Sequence, residues 1–169
     1  MNNIVLTGMP SAGKSTIGVL IAKVLGYGFE DADLLIQKKY GKLLCELIAE
    51  YGDAGFLEIE NQVNRDVDFT HTVIATGGSA VYCKEAMEQY MANDIVVYIK
   101  LPFEEIERRL GNIKRRGVVL KKGQTLKSLY DERTPLYEKY AHIVVNAEGL
   151  GIEDLMDSIV GLLLIHEKY

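Results

Sequence analysis

The 169-residue chain has little of what marks several common protein classes. Cysteine is scarce: Cys45 and Cys83 are the two, with no metal-ligand spacing and no secretory context. They read as ordinary thiols in a reducing compartment, not as a disulfide framework. A positive surplus is also missing. Nineteen lysines and arginines against 24 acids give a formal net charge of -5, which argues against a general nucleic-acid binder with its usual basic surface. The longest apolar run, Ile159 to Ile165, is far too short to cross a bilayer. Met1 leads straight into an apolar run, so no signal or transit peptide is expected. There is no internal repeat, low-complexity tract or Pro/Gly/Ser-rich linker. What these absences leave is one cytoplasmic domain over 1–169, large enough to bury a proper core. It is expected to be monomeric, with no membrane or nucleic-acid partner.

What is present begins at residues 8 to 16, GMPSAGKST, which fit G-x-x-x-x-G-K-[ST] with Gly8, Gly13, Lys14 and Ser15 at the fixed positions. Small residues let successive backbone N–H groups curl around a phosphate, and the start of the following helix adds its positive dipole. Lys14 then reaches the β- and γ-phosphates, and the Ser15 hydroxyl can ligate Mg²⁺. The flanks suit the motif: residues 3–7 read as a short buried strand and 16–25 as a helix stopped by Gly26. A glycine-rich turn without a ligand is the bland alternative, and a nucleoside triphosphate site is the better reading.

Further strands are expected at 27–29, 72–76, 95–99 and 142–145, the last three nearly continuous and β-branched, as for parallel strands covered on both faces. Helical patterns cover 33–40, 43–51, 54–67, 84–91, 102–110, 124–140 and 152–166. The alternation predicts an α/β fold with a parallel sheet and right-handed crossovers. One stretch interrupts it: residues 111–123, GNIKRRGVVLKKG, hold five basic residues and no acid. A solvated loop is the plain reading of such a run, and in a nucleotide enzyme it also suits a lid over phosphates.

No N-K-x-D guanine-reading motif occurs, which counts against a GTPase, and no aspartate ends the run before Thr76, Gly77 and Gly78. A magnesium partner is therefore sought in Asp31 and Asp33. On an extended segment these two point the same way, toward the carboxyl end of the strand; either could instead cap the next helix. The acidic balance and the absence of appended domains also disfavour a nucleic-acid-coupled ATPase. His71, His142 and His166 are scattered and read as edge or surface residues.

The ordered set GMPSAGKST, D-A-D at 31–33, GDAGFLEIE at 52–60, VIATGGS at 73–79, a basic segment with Arg116 and R-T-P-L-Y at 133–137 resembles the shikimate kinases. The resemblance implies a P-loop kinase fold, a five-stranded parallel sheet of order 2-3-1-4-5 flanked by helices, with a mobile lid at about 111–123 and an acceptor-binding segment at about 33–62. It implies ATP-dependent phosphorylation of a hydroxyl on a small metabolite, shikimate being the best single candidate, and a place in aromatic amino acid biosynthesis. ATP would be held by Ser11, Ala12, Gly13, Lys14, Ser15 and Thr16, with Arg109 near the adenine and Arg116 on the phosphates. Ser15 and Asp31 would organise Mg²⁺. Lys14, Asp33 and Arg116 would be catalytic, Asp33 orienting or deprotonating the acceptor hydroxyl. Gly77, Gly78, Ser79, Leu57 and Arg133 would meet the acceptor, Arg133 at its carboxylate. Residues Asn146 to Gly151 would fall where an adenine-contacting loop lies.

Three positions depart from the family pattern. Leu57 stands where the family has a carboxylate-pairing arginine, a loss of about 2–5 kcal/mol unless replaced. Asn61 lies one turn and Arg65 two turns further along the same helix face, the latter about 12 Å away along the axis. Ser79 stands at the third of three usual glycines, and Gly117 follows Arg116 where proline is common. A kinase for another hydroxy acid or polyol, such as a sugar acid, and a nucleotide-binding regulatory protein without turnover are the alternatives.

Overall fold

The computed structural model describes residues 3–111, 118 and 120–166. Five short strands form one parallel sheet: β1 Ile4–Thr7, β2 Gly28–Asp31, β3 Thr72–Ala75, β4 Ile95–Lys100 and β5 Ile143–Asn146. Their spatial order is β2-β3-β1-β4-β5, as the resemblance implies. β1 lies at the centre, its Val5 level with Ile74 of β3 and Val96 of β4. Every residue of β1 and β3 is buried, which accounts for their unbroken apolar sequence.

Between the strands run α1 Lys14–Leu25, α2 Ala32–Tyr40, α3 Leu44–Arg65, α4 Lys84–Asn93, α5 Phe103–Leu110, α6 Leu126–Lys139 and α7 Ile152–His166, with a 3-10 turn at Ala80–Tyr82. The two helices expected over 43–51 and 54–67 form one element kinked at Gly52 (φ 70°, ψ 177°). Beneath them Ile36, Leu47, Phe56, Ile59 and Val63 form a small apolar cluster apart from the main core.

β5 corrects the expectation of strands covered on both faces. It is the last strand of the sheet, and its residues alternate, Ile143 and Val145 buried, Val144 and Asn146 exposed. β2 also starts later than expected, running to Asp31 in place of 27–29, because Gly28–Asp31 pair in register with Thr72–Ala75. With all strands parallel, their carboxyl ends converge on one edge, where ligands of open α/β sheets bind.

Candidate active site

The phosphate loop joins β1 to α1. Its turn closes with Ala12 N–H donating to Met9 O (3.1 Å), and Ser11 takes the left-handed conformation (φ 66°). Lys14 opens α1 and is buried. Its Nζ donates to Gly8 O (2.8 Å) and Met9 O (2.9 Å), leaving one of three N–H donors for a ligand. Burial pulls the Lys14 ammonium down to about 8, opposed chiefly by the Asp33 carboxylate.

Asp31 and Asp33 both turn to the cleft, but not along an extended segment. Asp31 ends β2 and caps α2, its Oδ1 accepting from Asp33 N–H (3.0 Å) and Leu34 N–H (3.3 Å). Asp33 sits in the first helical turn. The capping leaves Oδ2 of Asp31 to accept from Ser15 Oγ (2.6 Å). Burial, with the like charge of Asp31, pushes Asp33 up to about 6.

After β3 the chain passes through Gly77 and Gly78. A Cβ on Gly77 would lie 2.6 Å from Glu60 Oε1 and 2.7 Å from Asp33 Oδ1, and one on Gly78 2.7 Å from Pro10 Cδ and 3.0 Å from Arg133 Nη1. A side chain at Gly77 would displace those carboxylates, and one at Gly78 would press on the rigid Pro10 ring. Ser79, read as an acceptor contact, donates its hydroxyl to Glu60 Oε2 (2.6 Å). Glu60 is fully enclosed, with Oε1 lacking a hydrogen-bond partner among the described residues. Burial pushes its carboxyl up to about 7, against the Ser79 hydrogen bond, with Asp33 adding to the rise.

That raised value bears on stability. A carboxyl held above its unfolded value of about 4.3 favours the fold most when protonated, so its contribution is lost as the pH climbs through about 7. Glu60→Gln is therefore expected to be more stable than the wild type by about 2 kcal/mol at pH 8. The gain should raise Tm by about 5 °C and vanish at pH 4. Thermal melts at the two pH values measure this; a lower melt at pH 8 would mean the ionised Glu60 is a net stabiliser.

Arg133 projects from α6 and is 3% exposed. Its guanidinium carbon lies 5.2 Å from the Tyr82 ring centroid, and its Nε has no partner among the described residues. One turn on, Tyr137 OH donates to Gly78 O (2.6 Å).

Ser11, Gly13, Lys14, Ser15, Thr16, Asp31, Asp33, Gly77, Gly78, Ser79, Arg109 and Arg133 all line one cleft of about 490 Å³. Among the described residues, two predicted ones do not. Ala12 is buried beneath the loop and borders a neighbouring groove. Leu57 faces a small adjoining pocket shared with Ser79 and Arg133. Arg116 lies outside the described residues, as do 112–117 and 119 of the expected lid; Val118 borders the cleft.

Arg109 stands where the cleft meets the second groove, which Thr16, Ala147, Leu150 and Gly151 also line. Its Nε donates to Glu105 Oε1 (2.7 Å), and the guanidiniums of Arg108 and Arg109 hold that carboxyl down to about 2.

A nucleotide loop, a carboxylate pair and a buried arginine thus share one cavity. The family model for shikimate kinase matches residues 10–163. The chain belongs to the shikimate kinase family. These are small-molecule kinases that transfer a phosphate from ATP to a hydroxyl. A shikimate kinase of Nostoc punctiforme is 41% identical over 166 residues, covering 95% of this chain and 90% of the relative. One from Clostridium botulinum (strain Eklund 17B) is 36% identical over 165 residues, covering 96% and 98%. The solved shikimate kinase of Acinetobacter baumannii in complex with shikimate superposes with a TM-score of 0.91 at 31% identity, covering 98% of this chain and 94% of that one. Among the described residues, no helix of this shikimate kinase family member is long and apolar enough to cross a membrane.

The sequence reading assigned no role to Glu60, Tyr137 or Lys121. Glu60 did carry a signal: a carboxylate inside the apolar stripe Phe56, Ile59, Val63 of α3, where a charge stays only with buried partners.

Proposed function

We propose that this chain phosphorylates a hydroxyl of shikimate with the γ-phosphate of ATP. The observation that carries the reading is the set of groups brought to one cleft. The phosphate loop with Lys14, the Asp33 carboxylate and Arg133, buried with an unpartnered Nε, all line it. An acceptor bearing both a hydroxyl and a carboxylate matches that set, the carboxylate meeting Arg133 in a charge-assisted pair.

In this reading Asp33, ionised above about pH 6, accepts the proton of the hydroxyl as its oxygen bonds to the γ-phosphorus and the bond to the ADP oxygen breaks. Lys14 and the N-terminus of α1 stabilise the phosphate charge. The segment 33–62 brings Asp33 to the acceptor, and Arg109 with residues 146–151 borders the adenine. Ser15 Oγ and Asp31 Oδ2 are adjacent hard oxygens in the cleft and fit Mg²⁺, which typically takes one or two protein oxygens and completes its shell with phosphates and water. Bound there, Mg²⁺ would neutralise phosphate charge.

The test is coupled ADP release with shikimate, quinate and gluconate in separate assays. Saturable ADP release with shikimate that requires Mg²⁺, with smaller rates for the others, is expected. No release with shikimate, or a faster rate with gluconate, would overturn the acceptor assignment. Binding of ATP with no turnover on any acceptor would favour a regulatory protein.

A further inference from the structure

The pocket beside Leu57 holds a group that the family pattern does not lead one to expect. It encloses about 40 Å³ and continues the acceptor end of the cleft, sharing Phe56, Ser79 and Arg133 with it. Its walls are mostly apolar, and its charged lining residues are Arg133, Lys121 and Asp53.

A carboxylate presents two oxygens, and the single guanidinium of Arg133 leaves room for a second cation. Leu57 brings none. The polar residues further along α3 are engaged elsewhere: the cation Arg65 donates from Nη1 to Glu85 (2.6 Å), and the neutral Asn61 bonds both Glu85 and the backbone N–H of Ala86. Lys14 is tied to the phosphate loop through Gly8 O and Met9 O, Arg109 borders the second groove, and neither lines this pocket. That leaves Lys121 as the second cation among the described residues lining the acceptor end.

Its backbone is anchored although its side chain is exposed. Lys121 N–H donates to Gln124 Oε1 (3.1 Å), and Gln124 N–H donates back to Lys121 O (2.9 Å). This small turn leads directly into Thr125, which caps α6 through Ser128 N–H (3.1 Å). The helix that carries Arg133 therefore also fixes where the Lys121 stem begins. Among the described residues Nζ of Lys121 has no ion-pair or hydrogen-bond partner, Asp53 included.

We propose that Lys121 supplies the second positive charge that grips the acceptor's carboxylate, reaching over Leu57 from the turn before α6. The inference rests on the acceptor reading above. A lysine is a compact point charge on a flexible stem, not a rigid fork. It therefore contributes affinity without fixing orientation, and its effect should fall on KM and weaken with salt.

The experiment compares the wild type with Lys121→Ala, Lys121→Arg and Lys122→Ala, on shikimate and on its uncharged methyl ester. Lys121→Ala is expected to raise KM for shikimate about tenfold while kcat and KM for ATP stay within about twofold. The ester's KM should not move, Lys121→Arg should retain the wild-type value, and Lys122→Ala should behave as wild type. Leu57→Arg placed in the Lys121→Ala background should restore the affinity from the other wall of the pocket. An unchanged KM in Lys121→Ala, or an equal rise for the ester, overturns the inference while leaving the acceptor reading intact. A wild type that turns over no shikimate overturns both.

Discussion

Lys14→Ala is expected to lower kcat about a thousandfold, with the fold intact. The lysine is enclosed at the base of the cleft, so its charge acts on the transferring phosphate with little screening by water. Removing one such preorganised donor costs two to three orders of magnitude where it has been tested in other enzymes, about 10²–10³. The side chain also ties the loop through Gly8 O and Met9 O, so part of the loss should appear as weaker ATP binding. Single-turnover phosphoryl transfer at saturating ATP separates the two. Retention of more than about a tenth of the wild-type rate would take the loop lysine out of the chemistry.

Asp33→Asn should cost about 10²–10⁴ in kcat, the range for a lost general base, with KM for ATP nearly unchanged. The pH profile makes the claim specific. With its carboxyl held at about 6, Asp33 gains competence as the pH rises through that value, so the wild-type rate should climb there and level off above it. The asparagine variant should show a flat residual rate across the same window. An acid limb that survives in the variant would assign the titration to another group, with Glu60, at about 7, the next candidate. Asp31→Asn should act differently, shifting the Mg²⁺ concentration for half-maximal rate. Equal Mg²⁺ curves for the two variants would refute the division between them.

Sequence made the nucleotide end of the cleft readable because its chemistry is local. Gly13, Lys14 and Ser15 are contiguous, and the geometry they need is set by one strand, one turn and one helix. The strand order is not of that kind. It came with the family resemblance, since β1 finds its neighbours β3 and β4 about 70 and 90 residues away. The acceptor end was legible in part. Arg133 was singled out in the R-T-P-L-Y run and lines the cleft, but the pairing of Ser79 with Glu60 is a side-chain hydrogen bond between α3 and the loop after β3, which no spacing rule encodes. Asp31 and Asp33 do not form an extended pair: the strand ends at Asp31, whose carboxylate caps the next helix, the alternative that the sequence left open. Leu57 was seen as a loss. That Lys121 lines the same pocket depends on where the turn before α6 is placed.

The Gly78 backbone occupies the gap between Pro10 of the phosphate loop and Arg133 of α6, with Tyr137 gripping its carbonyl. In the proposed function this places a single peptide as the spacer between the donor and acceptor compartments. In-line transfer tolerates almost no error in the distance between attacking oxygen and phosphorus, about 3–3.5 Å at the start. Here that gauge is main chain and not a rotatable side chain, so thermal rotamer exchange cannot change it. On the proposed roles of Leu57 and Lys121, substitutions there would alter acceptor affinity without resetting the transfer distance, so that acceptor preference would drift while the phosphoryl-transfer geometry is preserved.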